Sequence, residues 1–127
     1  MAAKLFLAIA AISGFIFVAL GAFGAHGLSH VLNEKEMAWL QTGLQYQSIH
    51  TLALLVVALM MLFVTSHWLT VGAVCFIIGT LFFSGSLYTM AIFHIKIWPY
   101  ITPLGGLFFL VGWLALLVSA LTLTVKG

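Results

Sequence analysis

The polar side chains best placed to do chemistry surround His50. Gln47 and His50 are separated by three positions and Tyr46 and His50 by four, so in a helix all three lie on one face. Histidine changes its charge near neutral pH, and tyrosine and glutamine each donate and accept hydrogen bonds. This group could bind a ligand, titrate a proton or join neighbouring helices.

A second polar line lies further along the chain. Thr80, Ser84 and Tyr88 are spaced four residues apart, which in a helix also places them on one face. Ser86 lies between the last two, and His26 lies at the end of the first apolar stretch. These residues offer hydroxyl groups and one further imidazole.

Metal, haem and nucleophilic chemistry find little support in the sequence. His26 and His50 are the pair that could ligate a haem, but the sequence contains no Glu-x-x-His and no CxxCH motif. Cys75 is the single cysteine, and no carboxylate lies inside an apolar stretch to orient a nucleophile. We expect no metal and no cofactor, and we assign no catalytic residue; enzymatic activity stays an open question.

The composition requires a membrane. Of the 127 residues, 65% are hydrophobic and 5% are charged, whereas a soluble domain carries about 25% charged residues. The lipid bilayer is therefore the expected surrounding, and the sequence has no basic face for nucleic acid. The chain has the size of one domain, residues 1–127.

Four apolar stretches are long enough to cross the bilayer as helices, which requires about 20 residues each. They cover residues 5–27, 43–64, 70–93 and 103–123. We predict an all-α membrane protein, an antiparallel bundle of these four spans, which we number one to four. Asn33 and Glu36 have the spacing of a capping box, so we also predict a short interfacial helix from Glu34, between spans one and two. Thr102 is predicted to cap span four.

Three further features bear on packing and orientation. Glycines form stripes in span one (Gly14, Gly21 and Gly24), span three (Gly72 and Gly79) and span four (Gly105 and Gly112), and such stripes allow close helix packing in lipid. Trp113 is predicted at mid-depth, where its indole N–H needs a protein partner. Lysines flank the two faces equally, Lys4 and Lys126 against Lys35 and Lys96, so the orientation stays open.

The alternating direction of the spans brings the polar residues together. Span one ends, span two begins, span three ends and span four begins at the same face of the membrane, and the polar residues of all four fall in that half. We therefore predict one ligand-binding site in a polar half of the bundle, formed by His26, Gln47, His50, Ser84, Ser86 and Tyr88. Mutual hydrogen bonds that only fix the helices are the competing interpretation.

Several motifs resemble one known family. They are Gly21-Ala-Phe-Gly-Ala-His-Gly27, Thr42-Gly-Leu-Gln-Tyr-Gln-Ser-Ile-His50, Phe83-Ser-Gly-Ser-Leu-Tyr88 and Ile101-Thr-Pro-Leu-Gly-Gly106. The chain is similar over essentially its whole length to the domain-of-unknown-function family four-two-three, small bacterial inner-membrane proteins. The resemblance implies a four-helix, multi-pass protein of the inner membrane and no known activity or ligand.

Three functional hypotheses follow. The first is a protein that recognises a lipid, a small ligand or a partner helix through the polar half of the bundle, alone or as a homo-oligomer. The second is an oligomeric channel or carrier in which His50 is a titratable gate. The third, a membrane redox or lipid-modifying enzyme, rests on the histidines alone.

Overall fold

The computed structural model of the protein describes residues 2–95 and 100–127. Four of its helices are long and apolar enough to cross a membrane, as predicted: Ala2–Leu28, Glu34–Met60, His67–Phe93 and Ile101–Thr122. These helices are spans one to four. Lys96, one of the lysines considered for orientation, lies outside the described residues.

Span one is the least packed of the four. It is α-helical over Ala2–Ala19, widens to a π-helix over Leu20–Gly24 and returns to an α-helix over Ala25–Leu28. The predicted close packing of its glycines is wrong for the second half of the span. A Cβ atom at Gly21 would have no neighbour within 4 Å, and one at Gly24 would meet only side chains of the same span.

Span two begins at the predicted capping box. The Asn33 side chain accepts a hydrogen bond from the backbone N–H of Glu36 at 2.8 Å, and the Glu36 carboxylate accepts one from the backbone N–H of Asn33 at 3.0 Å. The helix then runs without interruption over Glu34–Met60. The predicted interfacial helix is therefore the first part of span two and not a separate element, because no turn or glycine breaks the helix between the cap and the apolar stretch.

The C-terminal tail returns to the connection between spans two and three. Two short strands, Val64–Thr65 and Thr124–Val125, pair in antiparallel fashion. The ammonium group of Lys126 also donates to the carbonyl oxygen of Met61 at 2.8 Å, near the end of span two. The sequence analysis predicted no strand here, since two-residue strands leave no periodic pattern.

Span four begins at Ile101, with Tyr100 as its N-cap residue, so the prediction that Thr102 caps this helix is wrong. The helix starts early enough to include Thr102, and the Thr102 hydroxyl forms a hydrogen bond with the hydroxyl of Ser86 in span three instead. A side chain that faces a neighbouring span is not available to cap its own helix.

The helices pack in chain order, span one on two, two on three and three on four. The predicted glycine packing between spans three and four is confirmed: a Cβ atom at Gly105 would lie 2.4 Å from the backbone nitrogen of Phe83, and one at Gly112 would lie 2.6 Å from the Phe76 ring. Because span one is held mainly by span two, a groove stays open between spans one and three.

Candidate functional site

His50 is buried, with 4% of its surface exposed, and both of its ring nitrogens have partners. Nδ1 lies 2.8 Å from the carbonyl oxygen of Tyr46, one helical turn earlier in span two. The indole N–H of Trp113 in span four donates to Nε2 at 3.0 Å. A carbonyl oxygen only accepts and an indole N–H only donates, so these contacts select the neutral imidazole with its proton on Nδ1. The predicted partner of Trp113 is thereby found.

Aromatic rings enclose the His50 imidazole. The Phe109 ring stacks on it, with 3.6 Å between centroids and 9° between planes, and the Phe76 ring presents its edge at 5.3 Å. A second proton would place an N–H at Nε2 facing the indole N–H of Trp113. These contacts make His50 a link between spans two and four, and they count against its use as a titratable gate.

Gln47 is the centre of a second network, which joins spans one, two and three. The hydroxyl of Tyr88 donates to its Oε1 at 2.6 Å. Its Nε2 donates to the carbonyl oxygen of Ser13 at 3.0 Å and to the Ser13 hydroxyl at 3.1 Å. The donor Nε2 and the acceptor Oε1 of this buried side-chain amide are thus both used.

Two residues of this network, Ser13 and Thr51, were missed by the sequence analysis. Their hydroxyl oxygens lie 2.6 Å apart, across spans one and two. A small hydroxyl residue inside an apolar stretch gives little signal by itself. Thr51, however, follows Gln47 by four positions and so lies on the same face of span two, which is the one pattern that could have identified it.

The two predicted serines each donate a hydrogen bond to a backbone carbonyl oxygen. The Ser84 hydroxyl, fully buried, donates to the carbonyl oxygen of Gly43 in span two at 2.7 Å. The Ser86 hydroxyl donates to the carbonyl oxygen of Phe83 at 2.9 Å and contacts Thr102 of span four. Because these bonds tie span three to both adjacent spans, the serines are structural contacts at the edge of the polar region.

His26 does not join the other predicted residues. It lies in the exposed last turns of span one, after the π-helix, and its carbonyl oxygen accepts a hydrogen bond from the nearby Ser29. Within the described part of the chain, the His26 imidazole forms no hydrogen bond with Gln47, His50 or the two serines. The structure therefore brings five of the six predicted residues into the polar region and leaves His26 at the surface.

A groove of about 260 Å³ lies between spans one and three, with span two as its floor. Four of the predicted residues line it: Gln47, His50, Ser84 and Tyr88. Ser13 and Thr51 line it as well, and the rest of the lining is mainly apolar, from Ile9, Ile12, Ile16, Leu54, Ile77 and Leu81. The sequence predicted these four polar residues but not the groove that they line, because the groove results from the loose packing of span one.

A second cleft of about 420 Å³ lies on the other side of His50, between spans two and four. Aromatic side chains dominate its lining, among them Tyr46, Phe83, Phe109 and Trp113. Since the donor of Trp113 and both nitrogens of His50 are already used within the chain, this cleft presents mostly ring faces.

The fold and this network define a class: a polytopic membrane protein whose buried polar side chains form hydrogen bonds across its spans. Within that class the chain belongs to the family described as "Protein of unknown function (DUF423)", whose model matches residues 20–106. It is 51% identical over 127 residues to the "UPF0382 inner membrane protein YgdD" of Escherichia coli strain K12, covering 100% of this chain and 97% of that protein.

Similarity extends to more distant bacteria. A UPF0382 membrane protein of Haemophilus influenzae is 48% identical over 111 residues, which is 87% of this chain and 89% of the relative. One from Staphylococcus haemolyticus is 40% identical over 116 residues, 91% of this chain and 94% of the relative. No solved structure matches the chain. The protein is thus a multi-pass inner-membrane protein of a family without an assigned activity, as the resemblance of its motifs implies.

Proposed function

We propose that this protein binds an uncharged, largely apolar membrane molecule in the groove between spans one and three. The observation that carries the proposal is that Gln47, His50, Ser84 and Tyr88, selected from the sequence as candidate site residues, line this one groove of about 260 Å³. In this proposal the protein recognises a membrane molecule and performs no chemistry on it.

The groove is accessible from the bilayer. Ile12 on the span-one wall is 61% exposed and Leu81 on the span-three wall is 65% exposed, so a molecule dissolved among the lipid tails can enter from the side. Pockets for small molecules are mostly apolar with a few placed polar groups, and this groove has that composition.

The lack of charged side chains among the described lining residues restricts which molecules can bind in the groove. Among the described residues, its lining contains no Asp, Glu, Lys or Arg. A charge at this depth in the bilayer is costly without a partner of opposite sign, so an ionised group would find no compensation here. An ion, or a ligand that places its charged group in the groove, is therefore a poor fit.

Photolabelling tests the proposal directly. The protein would be placed in lipid vesicles with an uncharged probe, methyl palmitate that carries a diazirine on its chain, and labelled with and without excess unlabelled methyl palmitate. We expect saturable labelling of peptides from the groove walls. Leu81→Trp, which fills the groove with a larger side chain, should abolish the saturable part.

Leu117→Trp is the matched control. Leu117 lies on span four, is 55% exposed and is remote from the groove lining, so this variant should label as the wild type does. Labelling that is unsaturable, or spread evenly over all lipid-facing surfaces, would refute the proposal. Cross-linking of a second copy of the chain through the same walls would instead identify the groove as a contact between protomers.

A further inference from the structure

The hydroxyl pair of Ser13 and Thr51 has one hydrogen more than its bonds use. The pair has two hydroxyl hydrogens, and the single contact of 2.6 Å between the two oxygens uses one of them. The Ser13 oxygen accepts from Gln47, which uses a lone pair and no further hydrogen. Within residues 2–95 and 100–127 the second hydrogen has no acceptor.

The hydroxyl group of Thr80, on the opposite wall of the groove, is a second hydrogen-bond donor without an acceptor in the described residues. It is half-buried in span three and lines the same groove. Its hydroxyl forms no hydrogen bond with any residue in the described part of the chain. Thr89, nine positions further along the same span, shows the contrast, since its hydroxyl donates to the carbonyl oxygen of Gly85 at 2.7 Å.

The other polar groups of the groove are already hydrogen-bonded within the chain. The Gln47 amide group donates to the carbonyl and hydroxyl oxygens of Ser13, Tyr88 donates to Gln47, and Ser84 donates to Gly43. The imidazole of His50 is used at both nitrogens. Among the described residues that line the groove, two hydroxyl groups are therefore left without an acceptor, one on the span-three wall and one in the pair between spans one and two.

These donors lie deep in the membrane. Thr51 is nine residues before the end of span two at Met60, which is roughly 14 Å along the helix axis and close to the middle of a hydrocarbon layer about 30 Å thick. A hydroxyl hydrogen without an acceptor is unfavourable in such surroundings. A bound molecule that brings an acceptor to this depth would satisfy it.

We infer that the molecule recognised in the groove carries an uncharged hydrogen-bond acceptor, a carbonyl oxygen of the ester or ketone type, which receives hydrogen bonds from Thr80 and from the Ser13–Thr51 pair. The inference rests on the proposed function and adds the basis of selectivity. Lipid tails are as apolar as the groove walls, so an apolar chain gains little on leaving them, and the acceptor distinguishes the ligand from bulk lipid.

Two competitors of equal carbon number test the inference in the photolabelling experiment. Methyl palmitate has a carbonyl oxygen, and heptadecane has none. A hydrogen bond of the strength measured between membrane helices corresponds to about a 3- to 18-fold change in affinity. We therefore expect methyl palmitate to displace the probe at a concentration lower than heptadecane by about that factor.

Thr80→Val should remove most of this preference, because valine has the shape of threonine without the hydroxyl and Thr80 has no internal bond to lose. Thr89→Val is the control and should retain the preference. Equal potency of the two competitors on the wild type, with saturable labelling that Leu81→Trp still abolishes, would overturn the inference and leave the proposed function standing. Absence of saturable labelling in the wild type would refute the proposed function itself.

Discussion

The indole N–H of Trp113 donates to Nε2 of His50 at 3.0 Å, and this bond joins span four to span two across 63 positions of sequence. Each side chain supplies the hydrogen-bond partner that the other requires. Trp113 requires an acceptor for an N–H inside the membrane, and the imidazole, whose Nδ1 faces the carbonyl oxygen of Tyr46, offers its remaining nitrogen. Within the described residues no other side-chain hydrogen bond joins spans two and four, so this pair is important for their relative position.

The His50–Trp113 bond should be measurable as a coupling free energy. We would compare the wild type, His50→Phe, Trp113→Phe and the double variant by equilibrium unfolding in mixed detergent. Hydrogen bonds between membrane helices contribute about 0.6 kcal/mol on average and up to about 1.7, so we expect a coupling in that range. The phenylalanine at position 50 preserves the ring that stacks on Phe109, and additive effects of the two changes would show that the bond does not hold the spans together.

Neighbouring glycines in span four should respond oppositely to alanine. A Cβ atom at Gly105 would lie 2.4 Å from the backbone nitrogen of Phe83, whereas one at Gly106 would have its nearest neighbour at 3.9 Å. Backbone atoms do not move aside easily, so Gly105→Ala should lower the free energy of unfolding by about 1–3 kcal/mol.

Gly106→Ala is the matched control for that change. The extra methyl group is accommodated, and alanine favours a helix over glycine by about 1 kcal/mol, so this variant should be as stable as the wild type or more stable. The free energies of unfolding of the two variants and the wild type would be compared. Equal losses for both variants would mean that spans three and four pack less closely than the structure shows.

The predictability of this fold depended on which forces leave a signal in the sequence. Long apolar stretches predict membrane helices because the bilayer requires them, and the capping box of Asn33 and Glu36 predicts a helix start because its two bonds are local. The pairing of Val64–Thr65 with Thr124–Val125 depends on where the tail returns in space. Such contacts follow from tertiary packing and leave no local pattern.

The residues of the candidate site likewise include some that the sequence identified and some that it did not. Gln47, His50 and Tyr88 were identifiable because polar residues are rare inside membrane helices. The contribution of Ser13 could not be predicted, since it depends on which face of span one meets Gln47. His26 was grouped with the others on the direction of span one alone, yet it is exposed in the structure. The sequence thus indicated the depth of each polar residue better than the direction in which it points.

Gln47 should prove necessary for holding span one in place. Gln47→Leu removes the acceptor of the Tyr88 hydroxyl and the amide group that donates to the two oxygens of Ser13. The loss of a buried hydrogen-bond partner typically costs about 1–3 kcal/mol, and we expect a decrease of that size in the free energy of unfolding. Because span one packs mainly on span two, the same variant should increase the rate at which a protease cleaves the connection between them.

Gln45→Leu provides the control two positions away. Gln45 is exposed, and its carbonyl oxygen accepts from Ser48 through the backbone, which leucine preserves. This variant should match the wild type in stability and in protease resistance. If Gln45→Leu and Gln47→Leu were equally harmless, the network centred on Gln47 would contribute nothing to the position of span one.

Ser119 is the opposite case, because removal of its buried hydroxyl group should stabilise the protein. It lies in span four with 1% of its surface exposed, and its hydroxyl is the one buried side-chain group without a hydrogen-bond partner in the described residues. Its backbone carbonyl accepts from Leu123, and an alanine would keep that bond. Since an unpartnered hydroxyl in an apolar environment is unfavourable by about 1–3 kcal/mol, Ser119→Ala should raise the free energy of unfolding by up to that amount. Ser84→Ala tests the argument from the other side, because the equally buried Ser84 hydroxyl donates to Gly43 and its removal should destabilise the protein. A loss of stability in Ser119→Ala comparable to that in Ser84→Ala would show that the Ser119 hydroxyl has a partner in the membrane, such as a water molecule or a lipid oxygen.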